Sequence, residues 1–343
     1  MPLNSLFIEK YSAMTGGISE ATISRLKPLL EEIRELKKKH HAVILSHYYM
    51  TPELQVDTKN GGVADFVGDS LGLSVAGKDT KADYIIFCGV KFMAETAFIL
   101  SPEKKVLLPD HQAGCSLAES ITGKDVIALK EKHPGVPVIA YINTYAETKA
   151  ECDVCCTSRN AVKIAKSFES KELIFIPDKF MGQNLASKFK TETDKTLILW
   201  NGSCEVHEQF RENIESMTMA NPEAELLLHW EVPQETVAST LKTRKGIVGS
   251  TSDILSYVEQ SKASQFILGS ECDLGATLKG MFPTKQFITP CIMCQHMKRI
   301  TLQNTLDALR SIGTPDEARY NVSIDETIRK KAYAPIKLML DLS

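Results

Sequence analysis

Residues 84–93 read Tyr84-Ile-Ile-Phe-Cys-Gly-Val-Lys-Phe-Met93, and residues 172–181 read Glu172-Leu-Ile-Phe-Ile-Pro-Asp-Lys-Phe-Met181. In both, an apolar run leads into Lys-Phe-Met, and the two copies lie 88 residues apart. Ser264-Gln-Phe-Ile-Leu-Gly-Ser-Glu-Cys-Asp-Leu274 fills the matching slot in a third copy. A fixed period of this size marks one supersecondary unit used three times.

Three further elements recur at the same period. A short apolar strand ends in polar groups at Ser46-His-Tyr-Tyr49, Tyr141-Ile-Asn-Thr144 and His229-Trp-Glu231. A hydroxyl-bearing turn then opens a helix at Gly68-Asp-Ser70, Cys156-Thr-Ser158 and Gly249-Ser-Thr-Ser252. A lysine, a short strand and a cysteine close each copy: Lys105 to Cys115, Lys195 to Cys204, Lys285 to Cys294. The apolar runs (42–45, 84–87, 106–108, 138–140, 173–176, 197–199, 226–228, 266–268) are continuous rather than alternating, and helical stretches follow them. That pattern belongs to parallel sheets covered on both faces. The expectation is an α/β protein of three homologous three-layer α/β/α domains, with short parallel sheets arranged around a pseudo-threefold axis. The expected boundaries are 1–118, 119–206 and 207–305, with C-terminal helices in 306–343 packing back on the first domain. Residues 1–18 read as an irregular lead-in. Residues 20–39 read as a helix capped by Ser19, with Pro28 a point of breakage.

The 343 residues suffice for two or three domains, and 43% hydrophobic with 24% charged residues is ordinary for a globular chain. A net charge of -3 argues against non-specific nucleic-acid binding, which needs a basic face. No apolar stretch approaches a membrane span, and the N-terminus carries no basic-then-apolar leader pattern. A cytoplasmic protein is expected, in which nine cysteines do not form a disulfide framework.

Ligands of open parallel sheets bind beyond the carboxyl ends of the strands. The polar residues named above sit at such ends. Cys115, Cys204 and Cys294, one per copy, suit an iron–sulfur cluster with one iron left open. His47, Tyr49, His229 and Glu231 form a group able to move protons near neutral pH. Ser70, Ser158 and Thr251 can offer hydroxyls and helix N–H groups to an anion, although single residues of this kind more often only cap helices. Cys88, Cys152, Cys155 and Cys156 read as structural, and a zinc site from Cys152/Cys155 and Cys291/Cys294 fits the spacing poorly. Cys291 stays open: it can replace Cys294 as a ligand or pair with it as a redox switch. His207 and Glu208 follow Cys204 as candidate support for it, whereas Asp178, Lys179 and Lys149 read most simply as solvated charges.

With these residues in place, the chain resembles the quinolinate synthase family from about residue 30 to 343. The resemblance rests on Ser46-His-Tyr-Tyr49, Gly68-Asp-Ser-Leu71, Phe87-Cys-Gly-Val-Lys-Phe-Met93, Tyr141-Ile-Asn-Thr144 and Cys156-Thr-Ser-Arg-Asn160. It continues through Pro177-Asp-Lys179, Asn201-Gly-Ser-Cys-Glu-Val-His207, Gly249-Ser-Thr-Ser252 and the pair Cys294 and Met297. It implies a [4Fe–4S] enzyme that condenses iminoaspartate (iminosuccinate) with dihydroxyacetone phosphate to quinolinate, phosphate and water, on the de novo route to NAD. It implies cluster ligation by Cys115, Cys204 and Cys294, and iminoaspartate binding by His47, Ser70, Tyr141, Ile142, Asn143, Ser158, His229, Trp230, Glu231 and Thr251. Tyr49 matches a tyrosine that acts in the family's chemistry. A transient partner would be an L-aspartate-oxidising enzyme supplying the imine. Two departures stand out: the family commonly has His-Pro-Glu where this chain has His229-Trp230-Glu231, and Thr58-Lys-Asn-Gly-Gly62 reads as an added surface loop.

Two rival readings remain from the residues alone. One is a different iron–sulfur hydro-lyase acting on another hydroxy acid. The other is a redox sensor using the cluster and Cys291/Cys294, which lacks an output surface such as a basic DNA-binding helix. If Cys291 and Cys294 are a redox pair, peptide mass spectrometry of oxidised protein will find a 291–294 disulfide; two free thiols would end that idea.

Overall fold

The computed structural model describes residues 3–290 and 292–343; Cys291 lies outside them. Among the described residues, twelve strands form three sheets. They are β1 (Ala42–His47), β2 (Phe66–Gly68), β3 (Tyr84–Cys88), β4 (Lys105–Leu107), β5 (Val138–Tyr141), β6 (Val154–Cys156), β7 (Glu172–Ile176), β8 (Thr196–Leu199), β9 (Glu225–His229), β10 (Gly246–Gly249), β11 (Gln265–Gly269) and β12 (Gln286–Ile288). The orders are β2-β1-β3-β4, β6-β5-β7-β8 and β10-β9-β11-β12, one arrangement repeated three times. Each sheet is flanked by helices, as the continuous apolar runs require. The core residues of the central strands, such as Ile86, Ile174 and Leu227, are fully buried.

The repeat extends to register. In the first pair of each sheet, His47 stands opposite Gly68, Tyr141 opposite Cys156, and His229 opposite Gly249. The next residue then donates its N–H across the gap: Tyr48 to Gly68 O (3.2 Å), Ile142 to Cys156 O (2.7 Å) and Trp230 to Gly249 O (3.2 Å). In every copy, then, the polar strand end and the hydroxyl turn leave the sheet side by side. In this strand order the connections reverse direction beside the first strand, which is where open α/β sheets bind ligands.

The chain divides into two compact units. One comprises residues 3–114, Glu271–Gln286 and Met293–Ser323; the other comprises Cys115–Ser270, residues 287–290 and 292, and Ile324–Ser343. The C-terminal expectation needs correction. The helix Leu302–Ser311 does pack on the helix Glu20–Lys39 and on β3 of the first sheet. The helix Glu326–Asp341 instead lies against β6 and the helix Ala146–Lys149 of the second repeat, burying Ala332, Ile336 and Met339. Asn160 Nδ2 donates to Ser343 Oγ at 2.7 Å and fastens its end.

The lead-in is also more ordered than expected. Ser5–Thr15 is a helix, capped by Asn4 and stopped by Gly16 at φ 84°. Its buried face, Phe7, Tyr11 and Met14, belongs to an element that packs on the helix Cys272–Met281. Glu20–Lys39 runs unbroken through Pro28, with Ser19 accepting from Thr22 N–H. The expected surface loop is exposed only at Thr58 and Lys59. Gly61 and Gly62 are buried, and Arg34 donates to both of their carbonyls. A Cβ on Gly62 would fall 1.8 Å from Val56 O. Gly62→Ala is therefore expected to cost about 1–3 kcal/mol in denaturant unfolding through this overlap; an unchanged midpoint would contradict the packing described.

Candidate active site

In the second unit, two of the three repeat cysteines begin equivalent elements. Cys115 caps the four-residue helix Ser116–Glu119, and Cys204 caps Glu205–Glu208. The residues just after them meet, because Ser116 Oγ donates to Glu205 Oε2. Cys115 N–H donates to Tyr145 Oη at 3.3 Å, and Tyr145 in turn donates to Glu119 Oε1 at 3.1 Å. In the first unit, Cys294 caps the matching helix Gln295–Lys298, and its N–H donates to Glu271 Oε1 at 3.3 Å. All three cysteines are half-buried, and none is in a disulfide. Cys88, Cys152, Cys155 and Cys156 differ: they are buried, and burial pushes the Cys88 and Cys155 thiols up to about 12. Cys272, half-buried, opens a helix where the other copies have Lys91 and Lys179. Exposure thus sets the three cap cysteines and Cys272 apart from the buried four, and the three share a position before a four-residue helix that Cys272 does not.

Glu231 is the hub of the second unit. Tyr141 Oη donates to its Oε1 at 2.7 Å. His229 Nδ1 lies 2.8 Å from its Oε2, without the alignment of a hydrogen bond. His207 Nε2 lies 3.0 Å from the same oxygen, while His207 Nδ1 pairs with Asp178 Oδ2 at 2.9 Å. Asp178, His207 and Glu231 could hold a divalent ion by distance. Both imidazole nitrogens already face carboxylates, however, so neither is open to a metal while these pairs stand. Asp178 and Lys149, read from sequence as solvated charges, are buried instead. Asp178 caps the helix Lys179–Glu192, and Lys149 donates to Ile142 O and Thr144 O.

The remaining expected residues of this unit lie at the same strand ends. Ile142 and Trp230 are buried through their backbone positions, and Asn143 Oδ1 is buried with no hydrogen-bond partner. A buried acceptor of that kind calls for a ligand donor or water. Ser158 is half-buried just before the helix Ala161–Ser167. Thr251 is the first residue of Thr251–Gln260, whose capping box is made by Ser250 and Asp253. Ser250 is therefore spent on capping, which leaves Thr251 as the hydroxyl at that helix start.

In the first unit, His47 ends β1, and its Nδ1 accepts the Tyr49 N–H at 3.2 Å. That bond makes Nδ1 the acceptor and Nε2 the proton-bearing nitrogen. The two rings meet edge to face at 4.6 Å. Ser70 is the first residue of the helix Ser70–Asp79, capped by Asp69. Nothing in the sequence pattern marks Lys298, yet its ammonium meets three acceptors: Glu271 Oε1 at 2.7 Å, Asp273 Oδ2, and Tyr49 O at 2.6 Å. Burial works against this cation, but the two carboxylates outweigh it and raise its pKa. Lys298 ties the helix begun by Cys294 to the backbone of Tyr49.

Residues 31–341 match the model of the quinolinate synthetase A protein family. The chain belongs to that family. Among its relatives, the quinolinate synthase of Caulobacter vibrioides (strain NA1000 / CB15N) is 44% identical over 92% of this chain and 82% of its own length. That of Xylella fastidiosa (strain Temecula1 / ATCC 700964) is 42% identical, covering 94% and 89%. That of Agrobacterium fabrum (strain C58 / ATCC 33970) is 41% identical, covering 97% and 91%. The quinolinate synthetase A family is one of iron–sulfur enzymes. Among the described residues, no helix is long and apolar enough to cross a membrane.

Trp230, where the resemblance implies Pro, takes part in the register through its backbone. Its N–H makes the bond to Gly249 O that a proline could not, matching Tyr48 and Ile142 in the other repeats. Burial is the largest influence on Glu231 and works to raise its pKa, but His207 and His229 outweigh it and hold the carboxyl well below its ordinary 4.5. Burial likewise opposes the His207 cation, but Glu231, Cys204 and Asp178 hold it well above 6.5. The Glu231 contribution to stability is thus complete above 4.5 and drains away as pH falls towards the folded value. The His207 contribution is complete below 6.5 and is lost only as pH rises through the raised value. Glu231→Gln in the apoprotein should cost about 3 kcal/mol between these limits. The gap in Tm from wild type should close as pH drops below 4.5; a gap constant into strong acid would refute the ion-pair account.

Proposed function

We propose that this chain condenses iminoaspartate with dihydroxyacetone phosphate to quinolinate, phosphate and water, using a [4Fe–4S] cluster held by Cys115, Cys204 and Cys294. The observation that carries this reading is a half-buried cysteine, outside any disulfide, at the start of the same four-residue helix in every repeat. The Ser116–Glu205 bond, which joins the elements begun by Cys115 and Cys204, supports it further. Three thiolates fit such a cluster, and the bound group would supply a Lewis-acidic iron with an open position.

The chain's own side chains divide the remaining work. Ser70, Ser158 and Thr251, at or just before helix starts, bind carboxylate oxygens through hydroxyl and helix N–H groups. Asn143 offers Oδ1 to a substrate N–H, and the backbone of Ile142 and Trp230 sets the walls beside it. Glu231, ionised and in contact with Tyr141 and His229, accepts protons at Oε1 or Oε2 and returns them through those partners. His47 presents Nε2–H, and the Tyr49 phenol beside it donates or accepts at Oη during phosphate loss and isomerisation. The reaction needs no net electron transfer, so these groups need only move protons and orient carbons. The expected setting is the cytoplasm. Transient docking of an L-aspartate-oxidising enzyme would limit hydrolysis of the imine.

Cys115→Ser, Cys204→Ser and Cys294→Ser should each lose iron and sulfide together with quinolinate formation, whereas Cys272→Ser should keep both. The deciding assay is anaerobic, with iminoaspartate and dihydroxyacetone phosphate. Wild-type protein with a full cluster that forms no quinolinate would reject the function.

A further inference from the structure

Each repeat buries a loop just past its first strand, and each loop carries one chemistry-bearing residue two positions beyond the strand end: Tyr49, Asn143 and Glu231. The carbonyls on either side of that residue point inward and share one buried donor. In the first repeat, Gln55 Nε2 donates to Tyr48 O at 2.8 Å and to Met50 O at 2.5 Å. In the second, Lys149 Nζ donates to Ile142 O at 2.8 Å and to Thr144 O. In the third, Asn184 Nδ2 donates to Trp230 O at 2.7 Å and to Val232 O at 2.8 Å. Gln55, Lys149 and Asn184 are 5%, 0% and 4% exposed, so the donors are themselves buried.

The first two clamps are equivalent in sequence as well. Gln55 and Lys149 each lie six residues beyond the clamped position, and each is the last residue of a four-residue helix, Pro52–Gln55 and Ala146–Lys149. At the same spacing the third repeat has Val237, which has no donor, inside the longer helix Gln234–Leu241. Its clamp comes from Asn184 on the helix Lys179–Glu192 of the second repeat. An amide, an ammonium and a second amide from another direction thus hold the same three-residue backbone. Their chemistry differs, and what they share is the pair of carbonyls bracketing a residue of the site.

We propose that Gln55, Lys149 and Asn184 are positioning residues that fix Tyr49, Asn143 and Glu231 by clamping the backbone on both sides of each. The catalytic part of this inference rests on the function proposed above; the structural part does not. An error of about 1 Å in a reacting group can cost about a hundredfold in rate. Loss of a clamp should therefore lower kcat far more than it alters iron binding.

Lys149 provides the test, because the first repeat shows that an amide can do its work. Lys149→Met removes the donors, and Lys149→Gln keeps two. Three quantities are read: iron and sulfide content, kcat and KM for both substrates, and hydrogen exchange of the 142–145 amides in the apoprotein. Lys149→Met should keep its cluster, lose about ten- to a hundredfold in kcat with KM changed less, and exchange these amides faster. Lys149→Gln should recover most of both losses. Unchanged exchange and kcat in Lys149→Met would overturn the proposal, as would a Gln variant no better than Met. If Lys149→Met does not fold, Asn184→Ala takes its place: faster exchange at residues 230–232 with a lowered kcat supports the clamp, and no change in either overturns it. A wild-type protein that forms no quinolinate would sink the function but not the clamp, which the exchange measurement then decides.

Discussion

A carbonyl taken out of water without a partner costs about 1–3 kcal/mol. A loop that turns inward from a strand end buries several at once. This constraint governs how the repeats are built. Short helices such as Pro52–Gln55 and Ala146–Lys149 follow their loops and return a donor to them, and the carbonyls at 48, 50, 142 and 144 are satisfied without a further strand. Polar side chains can then be held rigidly at a depth where a flexible loop would hold them poorly. The unpartnered Oδ1 of Asn143 is the exception, and it sits on a residue whose backbone is clamped on both sides.

Parallel register supplies the second layer of order. Because His47, Tyr141 and His229 stand opposite Gly68, Cys156 and Gly249, each strand end lies next to a turn that starts a helix. On the proposed reading, a proton-moving group and an anion-binding hydroxyl are delivered together from one crossover. Buried carboxylates are then each given a cationic partner. In the second unit two carboxylates bracket the His207 imidazole, and in the first the Lys298 ammonium meets two carboxylates and a carbonyl. Both groups lean on a segment that carries a repeat cysteine.

Much of this is legible in the sequence because the repeat is written in residue types. The runs at 84–87 and 173–176, the polar strand ends and the evenly spaced cysteines point to the three sheets and their order of elements. The edge strands at 66–68, 154–156 and 246–249 read only as turns, since three or four residues show no periodicity and become strands through their neighbours. The helix Ser5–Thr15 is hidden because Gly16-Gly17 reads as loop, whereas Gly16 is its left-handed stop. Asp178 and Lys149 pass for solvated charges because burial of a charge depends on tertiary partners that no local pattern displays. Lys298, Gln55 and Asn184 are invisible for the same reason: their acceptors are largely backbone atoms, which leave no trace in residue type.

The third repeat borrows its donor, and that limits how the molecule can be taken apart. Asn184 belongs to the second repeat, and so do Tyr141 and Asp178, while Glu231 belongs to the third. A chimaera exchanging residues 207–305 alone would import a loop whose anchor stays behind in the host. The first and second copies carry their two-carbonyl anchors within six residues, although Lys298 and Thr277 of the third repeat also bond Tyr49 O and Gln55 in the first. The symmetry of the triplicated chain is therefore incomplete: in two copies the donor that spans the paired carbonyls comes from the same repeat, and in the third it comes from the neighbouring one.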